Sequence, residues 1–138
     1  MPTTCIFCAI IAHRAPAFRL YEDDDTLAFM DIHPANDGHC LVIPKRHYET
    51  IFKMSPDDFA AVVRTVLRVA KAVHQGLQPG ALNLVQANGR IAGQSVGHVH
   101  VHVLPRREDD KLWLNWPRNR RGDPDDIAHI AERIRAQL

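Results

Sequence analysis

Three histidines alternate with valines in GHVHVHVLPR, residues 97–106. Alternation with a period of two is that of a β-strand, so His98, His100 and His102 share one face and Val99, Val101 and Val103 the other. Neutral imidazole is a nucleophile, a metal ligand and a general base near pH 7. Metal binding and nucleophilic catalysis are therefore the two chemical readings, beside an inert strand carrying solvated histidines. Just upstream, VQANGRIAGQSV supplies Asn88, Gly93, Gln94 and Ser95: amides, a flexible glycine and a hydroxyl. Such neutral donors, with backbone N–H groups, suit an anion of the phosphate type. Cys5 and Cys8 form a C-x-x-C, which serves as a redox pair, as half of a zinc site, or as two small buried residues opening a helix. Cys40, in CLVIP, reads as a core residue.

These groups need a frame. CIFCAIIAH reads as a short amphipathic helix, the end of LYEDDDTLAFMDI as a strand, and GHCLVIPKRH as a second strand. HPANDG between them has turn composition and predicts an antiparallel hairpin. Ser55 as N-cap, Pro56 at the first helical position and Asp58 in a capping-box place begin a helix that Gly76 can end. Its apolar residues, from Phe59 to Val73, recur at helical spacing and should cover one face of a sheet. ALNLVQAN reads as a third strand and the histidine run as a fourth. Asp123-Pro124 caps a last amphipathic helix bearing Ile127, Ile130, Ile134 and Leu138. Trp113 and Trp116 beside Arg118, Arg120 and Arg121 either mark a ligand or partner surface or pack under a loop. Strand, strand, helix, strand, strand predicts an α+β fold, an antiparallel sheet with helical cover.

The 138 residues, 46% of them hydrophobic, suit one domain with a single core. A net charge of +1 gives no basic field for nucleic acid, so a phosphate ligand has to be held locally. No basic leader with a long apolar run and no membrane-length segment is found. Three cysteines are an odd number and too few for a disulfide framework. The expectation is a soluble cytoplasmic protein with neither nucleic acid nor membrane as partner.

DIHPANDGHCLVIPKRH, followed by GQS and His-x-His-x-His in that order, resembles the histidine triad (HIT) superfamily of nucleotide hydrolases and transferases. The resemblance runs from Cys5 to about Arg107, so residues 1–138 read as one HIT domain with a C-terminal tail and helix beyond position 107. It implies a homodimer joining the two sheets and a purine nucleotide bound beside the triad. By position, His100 is the nucleophile that attacks the α-phosphorus and forms a nucleotidyl-histidine. His102 donates to an α-phosphate oxygen, and His39 supports the triad. Asn88, Gly93, Gln94 and Ser95 hold the other oxygens and the leaving group. Asp31 takes the ribose hydroxyls and Ile32 lines the base pocket.

The C-x-x-C resembles that of bacterial zinc-containing Hint-like relatives. There two cysteines, the histidine after IPK-x and the first triad histidine bind structural Zn²⁺, here Cys5, Cys8, His47 and His98. Two thiolates and two imidazoles make a closed set that leaves the phosphorus chemistry to other residues. HVLPRR departs from the glycine pair of that branch and resembles the Fhit branch; Arg106 and Arg107 would then either meet extra phosphates or be solvated at a strand end. The implied activity is hydrolysis of a nucleoside phosphoramidate or a dinucleoside polyphosphate, releasing a nucleoside monophosphate. The alternative is a zinc-braced nucleotide-binding sensor with little turnover.

Overall fold

A computed structural model describes residues 4–112 and 121–138. At its centre is the expected antiparallel sheet, with five strands rather than four: β1 (Arg19–Glu22), β2 (Thr26–Met30), β3 (Cys40–Pro44), β4 (Ala81–Gln86) and β5 (Val101–Arg106), ordered β1-β2-β3-β5-β4. Helices α1 (Ile6–Ile11) and α2 (Pro56–Leu77) pack on it, and α3 (Pro124–Arg135) follows the sheet in the chain. The strand beyond those expected is β1, at the edge. Its four residues, RLYE, alternate between half-buried and exposed, a weak pattern beside the acidic run that follows. Asp23 closes the β1–β2 turn by accepting from the backbone N–H groups of Asp25 and Thr26.

Central strands buried on both faces read as continuous apolar runs, which is why TLAFM and CLVIP carry no polar alternation. One face bears Ala28, Cys40, Val42, Val101 and Val103 against Val62, Val66 and Val69 of α2. The other bears Leu27, Phe29, Leu41 and Ile43 against Cys5, Phe7, Cys8 and Ile10 of α1. Each such aliphatic side chain, when fully buried, contributes about 1.5–3 kcal/mol. Burial on both faces therefore outweighs the cost of burying the Thr26 and Thr65 hydroxyls, which satisfy each other 2.7 Å apart.

Ser55 caps α2 as expected, accepting from the Asp58 N–H at 3.1 Å. The capping box is only half made, because the Asp58 carboxylate takes the Tyr48 hydroxyl (2.5 Å) and Arg46 instead. Nor does α2 end at Gly76. It runs to Leu77 and is capped by Gln78 in the left-handed conformation, φ 49°. Gln78 precedes Pro79, whose ring disfavours a helical residue before it.

The loop 31–39 between β2 and β3 forms the expected hairpin, with the Asp31 N–H donating to the His39 carbonyl. Gly38 sits there at φ +91°, under Leu77 of α2 and Pro105 of β5. The histidine run enters the sheet later than expected. Pairing with β3 begins at Val101, while the Val99 N–H donates to the Tyr48 carbonyl at 2.7 Å and so holds the preceding residues against the loop after β3. The alternation of side chains survives: Val101 and Val103 face α2, and His102, opposite Leu41, faces the α1 side.

Asp123 caps α3 through the Asp125 and Asp126 N–H groups, and Ile127, Ile130 and Ile134 are more than half exposed along it. Of the segment from Trp113 to Arg121, residues 113–120 lie outside the described part. Among the described residues no helix is long and apolar enough to cross a membrane.

Candidate functional site

Two side-chain clusters meet at the segment 98–102. The first is built where the first turn of α1 sets Cys5 and Cys8 side by side; Cys5 is the N-cap, its sulfur 3.4 Å from the Cys8 N–H. His47, from the loop after β3, and the fully buried His98 face them. The Sγ and Nδ1 atoms of these four residues all lie within 4.8 Å of one another. Cys5 Sγ lies 3.4 Å and Cys8 Sγ 3.6 Å from His98 Nδ1, Cys8 Sγ lies 3.3 Å from His47 Nδ1, and the two Nδ1 atoms are 3.1 Å apart. Bond lengths of about 2.3 Å to sulfur and about 2.0 Å to nitrogen give a tetrahedral site edges of roughly 3.3–3.8 Å, which these separations approach. His98 Nε2 lies 2.9 Å from the Pro44 carbonyl, which only accepts, so the proton sits on Nε2 and the Nδ1 lone pair faces the sulfurs. Burial pulls His98 down to about 4, keeping it neutral. Burial, with Cys5 alongside, pushes the Cys8 thiol up to about 11, so a thiolate there needs a cation to hold it. Both the donor set and its spacing fit a dication of the zinc type.

The second cluster is His39, His100 and His102, and the backbone fixes its protons. His100 Nδ1 lies 2.8 Å from the His98 carbonyl, so Nδ1 carries the hydrogen and Nε2 keeps its lone pair. The Ala35 N–H donates to His39 Nδ1 at 3.0 Å. His39 Nε2 must then bear the hydrogen, which it donates to His102 Nδ1 at 2.9 Å. The remaining hydrogen of neutral His102 sits on Nε2. Burial lowers both residues, His102 to about 4 with the neighbouring histidines adding to the effect, so the relay is neutral at pH 7. The His100 ring stands 4.9 Å from His102 and 5.3 Å, edge-on, from Phe7.

Asp31, His39 and His102 also bring ligand-type atoms within 4.8 Å of one another. The Ala35 N–H decides how they are used. With Nδ1 of His39 accepting, its Nε2 is a donor with no lone pair for a metal, and Asp31 Oδ2 at 3.5 Å is a neighbouring acceptor. This cluster is a hydrogen-bond relay, whereas the cysteine cluster presents lone pairs.

His100 and His102 open into a cleft of about 610 Å³ between α1 and the sheet. Phe7, Ile10, Phe29 and Leu41 give it apolar walls. Asp31, Ile32 and Ser95 line it with the two histidines, as the sequence led us to expect. The other expected ligands lie elsewhere. Asn88 accepts from the Ile51 N–H and exchanges hydrogen bonds with Gln86. Gln94 accepts from the Gly89 N–H and donates to the Glu49 and Val96 carbonyls. Gly93, at φ +95°, ends the 90–92 turn. None of the three lines the cleft; they brace the loop that carries Ser95.

Arg106 does not reach for phosphate either. Its Nε and Nη2 grip Asp110 at 2.7 and 3.0 Å, and Nη1 donates to Asn83 on β4. Held by that guanidinium and by the N–H groups of Arg107 and Leu112, the Asp110 carboxyl lies well below the usual carboxylate range. Of the two arginines, Arg107 is the one that faces solvent, with a loose contact to Asp109. Sequence reasoning missed the Phe7 wall, the Ala35 N–H and the Asn36–Asp110 contact. Apolar walls read as core, a backbone donor leaves no sequence signal, and the last joins residues 74 positions apart.

Residues 12–109 match the HIT domain. The chain is 38% identical over 136 residues to adenosine 5′-monophosphoramidase hnt1 of Schizosaccharomyces pombe, covering 98% of each chain. It superposes on the crystal structure of a HIT family member from Bacillus subtilis with a TM-score of 0.92 at 35% identity, covering 98% of this chain and 97% of that one. It is also similar to a zinc-bound histidine triad family protein from Mycobacterium smegmatis, with a TM-score of 0.75 at 38% identity, covering 98% of this chain and 95% of that one.

Proposed function

The chain belongs to the HIT domain family, and on that premise we propose that it is a nucleotide hydrolase cleaving a nucleoside phosphoramidate or dinucleoside polyphosphate at the α-phosphorus. The observation that carries this reading is the fixed tautomer of His100: with Nδ1–H on the His98 carbonyl, the Nε2 lone pair is available in the cleft. In the first step a bond forms from Nε2 to phosphorus while the bond to the leaving amine or phosphate breaks, the leaving group taking its proton from water. In the second, water attacks phosphorus, the P–N bond breaks, and a nucleoside monophosphate leaves with His100 restored. A covalent intermediate divides one hard displacement into two easier ones. The His102 Nε2–H and the Ser95 hydroxyl stabilise the phosphate oxygens, in the manner of any preorganised donor at developing charge. Asp31 accepts from the ribose hydroxyls and Ile32 meets the purine, while His39 positions His102. Asn88, Gly93 and Gln94 contribute by holding the Ser95 loop.

Cys5, Cys8, His47 and His98 would hold structural Zn²⁺, bracing α1 to the loops after β3 and before β5, apart from the phosphorus chemistry. Two copies would join through the β4 edge, where Leu84 is exposed.

Incubation with adenosine 5′-phosphoramidate and, separately, with diadenosine polyphosphates tests the activity. AMP should be released from at least one. His100→Ala should lower the rate by at least ~10³ while the melting temperature stays within a few degrees. Tight AMP binding with turnover of neither substrate would instead favour a sensor.

A further inference from the structure

The loop 31–39 carries the carboxylate, the base contact and the relay histidine of the proposed site, yet it is an exposed connection between two strands. Inside, the Asp31 N–H donates to the His39 carbonyl and the His39 N–H to the Asn36 carbonyl. Outside, its last residue is tied to β5 by the His39–His102 bond, and its middle is tethered by Asn36, whose Nδ2 donates to the Pro105 carbonyl at 2.9 Å and to Asp110 Oδ2 at 3.0 Å. Asp110 is itself held from several sides. Its side chain is 2% exposed and accepts, besides Asn36, two bonds from Arg106 and one each from the Arg107 and Leu112 N–H groups. Arg106 in turn reaches Asn83 on β4 and the Leu112 carbonyl. The middle of the loop is thus fastened, through Asn36, to a hydrogen-bonded node built on β4, β5 and the turn after β5.

We propose that Asn36, Asp110 and Arg106 form a positioning network that sets the Asp31 carboxylate for ribose recognition, so that selection of a ribonucleotide over its 2′-deoxy counterpart depends on residues outside the cleft. This rests on the nucleotide reading above. None of the three lines the cleft. The chemistry follows from geometry: a carboxylate accepting from two vicinal hydroxyls needs both lone-pair directions aimed, whereas one accepting from a single hydroxyl tolerates displacement. Loosening the loop should therefore penalise the ribonucleotide selectively.

The test is calorimetric titration of the full chain with AMP and with 2′-deoxy-AMP, for wild type, Asn36→Ala and Asp110→Asn, with melting curves alongside. Asn36 is a half-buried loop residue, so its truncation keeps the protein measurable even where Asp110→Asn destabilises it. Wild type should prefer AMP by about tenfold, and Asn36→Ala should bring the ratio near one by weakening AMP alone. If the variants keep the wild-type preference, or lose affinity for both nucleotides equally, the network is merely structural and the inference is overturned. Failure of wild type to bind either nucleotide would instead remove the nucleotide reading itself, and this inference with it.

Discussion

At the scale of single residues, the three alternating histidines have two kinds of surroundings. His98 turns a lone pair toward two sulfurs and gives its hydrogen to Pro44, and its carbonyl orients His100. His102 takes a hydrogen bond from His39 and is buried in the neutral state. Because its folded value, about 4, lies below the ordinary histidine value, the unfolded chain binds more protons between those limits. The neutral group's contribution is complete above about pH 6.5 and is lost as pH falls toward about 4. Urea unfolding at pH 7.5, 6, 5 and 4 should show stability dropping across that window. His102→Asn should flatten the slope by up to about one proton; an unchanged slope in the variant would show that His102 is not held neutral.

At the scale of elements, the sites depend on short connections more than on long helices. Gly38 is the clearest case: at φ +91° a Cβ would run into Leu77 Cδ1 and stand 3.1 Å from Pro105 Cγ. Gly38→Ala should cost about 2 kcal/mol, from the positive φ and the contact together, read as a lower urea midpoint. A midpoint within error of wild type would mean that the loop moves freely. Legibility followed the same division. The hairpin, the capped α2 and the two faces of the histidine run could be read from TLAFM, HPANDG, SPDD and HVHVHV, because turn chemistry and periodicity are local. The edge strand RLYE was missed because four half-exposed residues carry little period. The start of β5 was placed too early because Val99 bonds Tyr48, 51 positions away in the chain. Asn88, Gln94 and Arg106 had suitable donors by type, but backbone and carboxylate partners brought close by the fold engage them first. A motif names candidate donors, and only packing shows which of them still face the cleft.

At the scale of the whole molecule, the four-residue cysteine and histidine cluster ties the N-terminal helix to segments before and after the sheet's central strands. Overnight treatment with a strong chelator, or Cys8→Ala, should remove one metal per chain and lower the melting temperature by roughly 5–10 °C. Full metal content and an unchanged melt in Cys8→Ala would discard the zinc assignment. Sedimentation equilibrium of the untreated protein should return twice the 15.6 kDa chain mass, and a monomer would discard the joined sheets.

The line from the Ala35 amide through His39 to His102 has a direction, because it begins at a group that has no lone pair to offer back. Its far end can give a hydrogen bond but, while the line is intact, cannot receive a proton. In the two-step reaction proposed above, a base for the hydrolytic step therefore cannot be His102. On that proposal, the attacking water would lose its proton to bulk solvent, to the phosphate itself, or to His100 as it departs. A solvent isotope effect on product release from the proposed covalent intermediate should accordingly survive replacement of His102 by glutamine, which keeps an N–H but has no ring to protonate.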